Sequence, residues 1–166
     1  MSWERIFKLS LEAFYNWCQE TPIGVWLTTN TYPFPVIEAV HLLGITLLLG
    51  PLFTINLRVL GLGLKGRPLP EVVQGLRPWI WGGYVLTFAT GIPLYMSEAI
   101  KLSGIVVWAP KMYALVGALL IQFILTVVLL KGGRVESGSG LAKVMAVLSM
   151  ALFLATGFLA RWIAFV

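Results

Sequence analysis

The chain has 166 residues, 58% of them hydrophobic and 11% charged, with 12 Lys and Arg against 7 Asp and Glu for a net charge of +5. Water-soluble domains carry about 25% charged residues, so a soluble fold is excluded and one integral membrane domain is expected over residues 1–166. No basic cluster interleaves with aromatics, so the positive balance carries topology information and nucleic acid is not an expected partner.

Residues 2–20 place Trp3, Ile6, Phe7, Leu9, Phe14, Tyr15 and Trp17 against Glu4, Arg5, Lys8, Glu12 and Glu20 at helical spacing. The segment is too polar to span and is expected to lie in the interface with its aromatics down. Its three glutamates interrupt what would be the apolar core of a signal peptide, so it is expected to remain attached. Cys18 is the single cysteine, which excludes an intrachain disulfide and a multi-cysteine metal site. "TPIGVWLTTNTYP" (21–33) reads as a turn-rich connection, with Asn30 or Thr31 as the cap of the next helix.

Four spans follow, at about 34–57, 78–98, 110–130 and 141–163. Each reaches the ~20 residues that cross ~30 Å of hydrocarbon. Pro35, Pro78 and Pro110 stand near expected helix starts, where a missing amide proton costs little, whereas Pro51 and Pro93 stand inside spans and should kink them. "GLGLKGRPLP" (61–70) and "KGGRVESGSG" (131–140) are the linkers. The expected fold class is all-α: a four-helix transmembrane bundle preceded by an interfacial amphipathic helix.

The first linker and its flanks hold Arg58, Lys65, Arg67 and Arg77, and the second holds Lys131 and Arg134 with Lys143 just beyond, offset only by Glu71 and Glu136. The opposite side carries Arg5, Lys8, Lys101, Lys111 and Arg161, diluted by Glu4, Glu12, Glu20 and Glu98. The positive-inside rule therefore puts both linkers in the cytoplasm and both termini on the outer side.

With that topology, several polar groups converge near the outer leaflet. His41, the only histidine, lies six residues past Pro35, about 9 Å along the helix. Glu38 precedes it by three residues and shares its face. Glu38 also suits the positive end of its helix dipole, and His41 would equally serve as an interior histidine hydrogen-bonded to a neighbouring helix. An ionisable side chain in the hydrocarbon is nevertheless a functional-site hypothesis by default.

The metal reading makes His41 a b-type haem ligand oriented by Glu38, with Gly44 leaving room for the flat macrocycle. One histidine leaves the sixth position to Met96, Met112, a water or a second subunit. A quinone near the outer leaflet is the other redox ligand. Lys111 and Arg161 would then meet haem propionates or a quinone carbonyl, although both also suit interfacial anchors. Tyr84, Thr87, Gly91, Tyr95 and Glu98 make a seam on the second span. Lys111 with Gln122, and Ser149 with Thr156, share faces on the third and fourth, patterns that also serve helix packing.

"YPFPVIEAVHLLGITLLLGPLFTINLRVLGLG", "LRPWIWGGYVLTFATGIPLYMSEA" and "APKMYALVGALL" resemble a family of small bacterial integral membrane proteins of unknown function. The likeness rests on Pro33 or Pro35, Glu38, His41 and Gly44 at the start of the first span, on Leu57, Arg58, Leu60 and Gly61 at its end, and on Lys111 and Met112. Asn56 stands where that pattern has an acidic residue. The resemblance covers residues 20–130 and implies a multi-pass protein of the bacterial inner membrane, with no established activity. The plan is also similar in architecture to four-helix b-type membrane cytochromes, which carry more histidines.

Three functions remain open: a membrane redox component binding haem b or a quinone; a structural or assembly subunit of a larger membrane complex, or a homo-oligomer, without catalysis of its own; and a small proton-coupled transporter. An electron-transfer or accessory role is expected ahead of a stand-alone enzyme.

Overall fold

The computed structural model describes residues 3–126 and 139–165, with residues 3–10 and 164 described by backbone alone. Of the expected linker at 131–140, residues 131–138 lie outside the described residues, and so do the side chains of Arg5 and Lys8. The described residues form helices α1 (Trp3–Glu20), α2 (Pro22–Thr29), α3 (Pro33–Val59), α4 (Leu69–Ser103), α5 (Trp108–Phe123) and α6 (Gly140–Trp162), with a 3-10 turn at Ile163–Phe165 and no strand.

Three of them, α3, α6 and the α5 segment Trp108–Thr126, are long and apolar enough to cross a membrane, which makes this a multi-pass membrane protein by length and composition. At 35 residues α4 is the longest helix among the described residues, but Trp, Tyr, Gly, Thr and Pro dilute its apolar centre. It begins nine residues before the expected second span, because Pro70, not Pro78, occupies the first turn.

The 21–33 segment differs most from expectation. Pro22–Thr29 is a helix, started by Thr21, whose Oγ1 accepts from the Gly24 amide at 3.1 Å and donates to the Cys18 carbonyl at 2.7 Å. A Cβ at Gly24 would stand 2.7 Å from the Gln19 carbonyl oxygen, so only glycine lets α2 follow α1 this closely. Thr28 and Thr29 return their hydroxyls to the Gly24 and Val25 carbonyls, and Asn30 Nδ2 donates to the Trp26 carbonyl at 2.9 Å. Asn30 thus closes α2 instead of opening α3.

Helix α3 runs unbroken across Pro51. Gly61, at φ +76°, ends it with paired bonds from Leu62 N to Leu57 O (2.9 Å) and Gly61 N to Arg58 O (3.1 Å), the αL termination that glycine favours. In α4 the helical dihedrals break at Glu98 (φ −118°, ψ 15°) and not at Pro93.

Two compact units can be distinguished. The first comprises Met1–Ile45 and Tyr84–Val106; the second comprises Thr46–Gly83 and Val107–Val166. The first buries Cys18, Leu27, Ala99 and Leu102, and Gln19 Nε2 there donates to the Ser97 carbonyl at 2.8 Å, beside the Glu98 break. In the second, α5 packs on α6. Ala142, Ala146, Ser149 and Phe153 line the buried face of α6, and Ala118 and Gln122 that of α5. Small residues on facing stripes let membrane helices approach closely.

Candidate functional site

His41 lies half-buried on α3 in the first unit, with its Nδ1 2.9 Å from Thr90 Oγ1 on α4. Thr90 Oγ1 is also 2.6 Å from the Leu86 carbonyl oxygen and 3.3 Å from that of Thr87. Gly91 admits the ring: a Cβ there would stand 2.8 Å from His41 Cε1. Thr90 received no role from the sequence. A threonine in an apolar helix normally returns its hydroxyl to its own helix, and only α3 packed opposite gives that oxygen a second use.

One turn beyond His41, Gly44 does not leave room for a macrocycle. A Cβ on it would lie 2.9 Å from both the amide nitrogen and Oγ1 of Thr87, so the space beside Gly44 is filled by α4. Thr87 Oγ1 is buried without a hydrogen-bond partner. The Cα–H of Gly44 points toward it, a weak contact common where membrane helices meet. Haem therefore does not fit on the Gly44 face of α3. The partner of Nδ1 is Thr90 and not Glu38, whose residue is exposed. Met96, half-buried on α4, lies five residues past Gly91.

The remaining expected site residues belong to the second unit. Lys111 Nζ sits 4.6 Å from the centre of the Trp108 ring, one turn back on α5, with half-buried Met112 beside it in sequence. The Arg161 guanidinium sits 4.9 Å from the centre of the Phe165 ring, in an open cavity of about 300 Å³ lined by Phe158, Arg161, Trp162 and Phe165. Cations held over aromatic faces in this way suit interfacial anchoring. Among the described residues, no three of His, Cys, Asp and Glu group to hold a metal ion.

The most buried polar cluster is one that the sequence named only in fragments. Gln122 Oε1 accepts from Asn56 Nδ2 at 2.9 Å and from Ser149 Oγ at 2.7 Å, and Gln122 Nε2 donates to Thr126 Oγ1 at 3.0 Å. Asn56, Gln122 and Ser149 are 0–1% exposed, and they join α3, α5 and α6. Residues 124–126 depart into a π turn just after Gln122, a feature that recurs at functional positions. Asn56 Oδ1 is buried without a partner. Exchanging O and N on both amides would only move the deficit to Nδ2, because Gln122 faces Asn56 with a single atom. A lone glutamine in an apolar helix was the available signal, but its partners are 66 and 27 residues away in sequence.

No curated protein matches the chain, and no solved structure matches it. The likeness first carried by residues 20–130 does extend over nearly all of the chain: the model of a family of unknown function, DUF6644, matches residues 13–166, and the chain belongs to that family.

Proposed function

We propose that this protein is a membrane-embedded accessory subunit: four spans with an interfacial N-terminal helix, in the bacterial inner membrane with both termini outside, assembled with further copies or with other subunits. The observation that carries this reading is how its interior polar groups are used. Asn56, Gln122 and Ser149 bond one another across three helices. Such bonds fix which faces of the helices meet and leave the apolar exteriors for other contacts. Only 17%, 17% and 22% of the most apolar windows of α3, α5 and α6 are buried within the chain, so their remaining surface is available to lipid or to neighbouring helices.

Native mass spectrometry of protein extracted in mild detergent tests the proposal. A complex of fixed stoichiometry is expected; a particle containing one copy of this chain alone would overturn it. Single cysteines introduced at Gly63 and at Tyr32 in a Cys18→Ser background report orientation. Membrane-impermeant reagents are expected to reach the second from outside and the first only after the cells are opened.

A second reading, a redox component with a quinone beside His41, is supported by one observation: the imidazole is half-buried and hydrogen-bonded through Nδ1 to a neighbouring helix, which fixes the orientation of the ring. The haem version is less well supported, because the Gly44 face is filled. It predicts a Soret band that His41→Ala abolishes, and a colourless purified protein would exclude it.

A further inference from the structure

Helix α3 ends at Val59, and the chain turns there through a loop that is bonded to itself. Leu62 N and Gly63 N both donate to the Leu57 carbonyl, at 2.9 and 3.3 Å, and Arg67 N donates to the Leu64 carbonyl at 3.0 Å. Arg58 Nε reaches across the loop and donates to the Arg67 carbonyl at 2.9 Å. That bond uses one of the five guanidinium N–H donors, and the four on the terminal nitrogens suit a phosphate.

Inside this loop Leu64 stands at φ +50°, a left-handed conformation that strains any residue with a bulky side chain. Gly61, Gly63 and Gly66 share the loop, yet this strained position carries a leucine. Contacts within the chain offset little of the strain, because Leu64 is 47% exposed and Leu62 73% exposed, whereas Val59 and Leu69 on either side are buried. The two exposed leucines stand among Arg58, Lys65 and Arg67, and no Asp or Glu occurs from Arg58 to Pro70.

A helix of 27 residues such as α3 is about 40 Å long, close to the ~40–45 Å thickness of a bilayer with its headgroups. A loop that starts at the end of α3 therefore stands at headgroup level, where apolar side chains meet acyl chains and cations meet phosphates. We propose that residues 58–68 bind an anionic phospholipid, with Arg58, Lys65 and Arg67 receiving the headgroup phosphate and Leu62 and Leu64 entering the acyl region beside it. Clustered cations at this depth favour anionic over zwitterionic lipid. Contact of Leu64 with acyl chains offsets the strain of its backbone.

Thermal melting of the full chain in a non-ionic detergent, with and without added phosphatidylglycerol, tests the proposal. The wild-type protein is expected to melt several degrees higher with phosphatidylglycerol, less so with phosphatidylcholine, and no higher with soluble glycerol phosphate. Lys65→Gln combined with Arg67→Gln leaves the Arg58 bond to a backbone carbonyl in place and is expected to lose most of the shift. Lys101→Gln combined with Lys143→Gln, an equal change of charge elsewhere, is expected to keep it. Leu64→Gly is expected to melt at least as high as wild type without lipid, because glycine relieves the strain, and to gain less from phosphatidylglycerol. An equal shift from phosphatidylcholine or glycerol phosphate would overturn the proposal, as would a shift kept by Lys65→Gln with Arg67→Gln or lost from both paired variants alike. A Leu64→Gly protein that melts well below wild type without lipid would also overturn it. So would stabilisation that grows with protein concentration and not with phosphatidylglycerol, which would give the loop to a second copy of the chain.

Discussion

Asn56 Nδ2 donates to Gln122 Oε1 across 2.9 Å, and both side chains are sealed from solvent. The pair is asymmetric. Gln122 Oε1 serves two donors, Asn56 and Ser149, while Asn56 brings one satisfied amide hydrogen together with a carbonyl oxygen that has no partner.

Gln122→Leu should therefore be the more damaging substitution. It strands the Asn56 amide and the Ser149 hydroxyl, each at roughly 1–3 kcal/mol for an unmet buried group. Asn56→Leu removes a donor and an orphaned acceptor together and should cost less, of the order of ~0.6 kcal/mol for one interhelical bond in a membrane protein. Unfolding by steric trapping or denaturant in bilayers or micelles should rank Gln122→Leu well below Asn56→Leu, and the reverse order would contradict the hydrogen-bond assignment.

Glycines at close helix contacts should tolerate no side chain, whereas open ones should. A Cβ on Gly83 would stand 2.6 Å from the Leu48 amide nitrogen and one on Gly44 2.9 Å from that of Thr87, both backbone atoms, while Gly50 and Gly82 have nothing within 4 Å. Gly83→Ala and Gly44→Ala should each destabilise by about 1–3 kcal/mol through overpacking. Gly50→Ala should be neutral or slightly stabilising, since alanine is the better helix former. Melting temperatures of the three single variants check the ordering.

The Cys18 thiol is 1% exposed, and burial pushes its pKa above the ordinary thiol value. The thiolate is the reactive form, so maleimide labelling in the folded protein should be slower than in denaturant at the same pH. The sign of the linked stability follows. As pH rises past the ordinary thiol range the unfolded chain releases this proton first, so the folded state loses stability on the alkaline side. Cys18→Ala should remove that alkaline component.

Gln19 ties α1 to α4 by donating to the Ser97 carbonyl, next to the residue where α4 leaves helical geometry. Gln19→Leu should leave that carbonyl unmet and loosen α1, read as faster hydrogen exchange at residues 11–20 with little change in α5 and α6. The neighbouring Lys101–Glu98 pair, 3.0 Å apart but with side chains 65% and 35% exposed, should contribute little, and Glu98→Gln should barely move the melting temperature.

Composition and hydropathy alone determined that this is a helical membrane protein, because a run of apolar residues long enough to cross hydrocarbon must satisfy its backbone within itself. They also picked out His41, Gly44, Gln122 and Ser149, since a polar or hydrogen-only side chain stands out in such runs. Local signals were less decisive. Pro70 and Pro78 are both acceptable near a helix start, and only the first held that place. Thr21 with Pro22 capped a helix in a segment that reads as turns. Partners were illegible: nothing in the local sequence ties Thr90 to His41 or Gln122 to Asn56, because a hydrogen bond between residues tens of positions apart depends on which helix faces meet. Tertiary packing decided that α4 fills the space beside Gly44, for the physical reason that a missing side chain creates space without specifying what fills it.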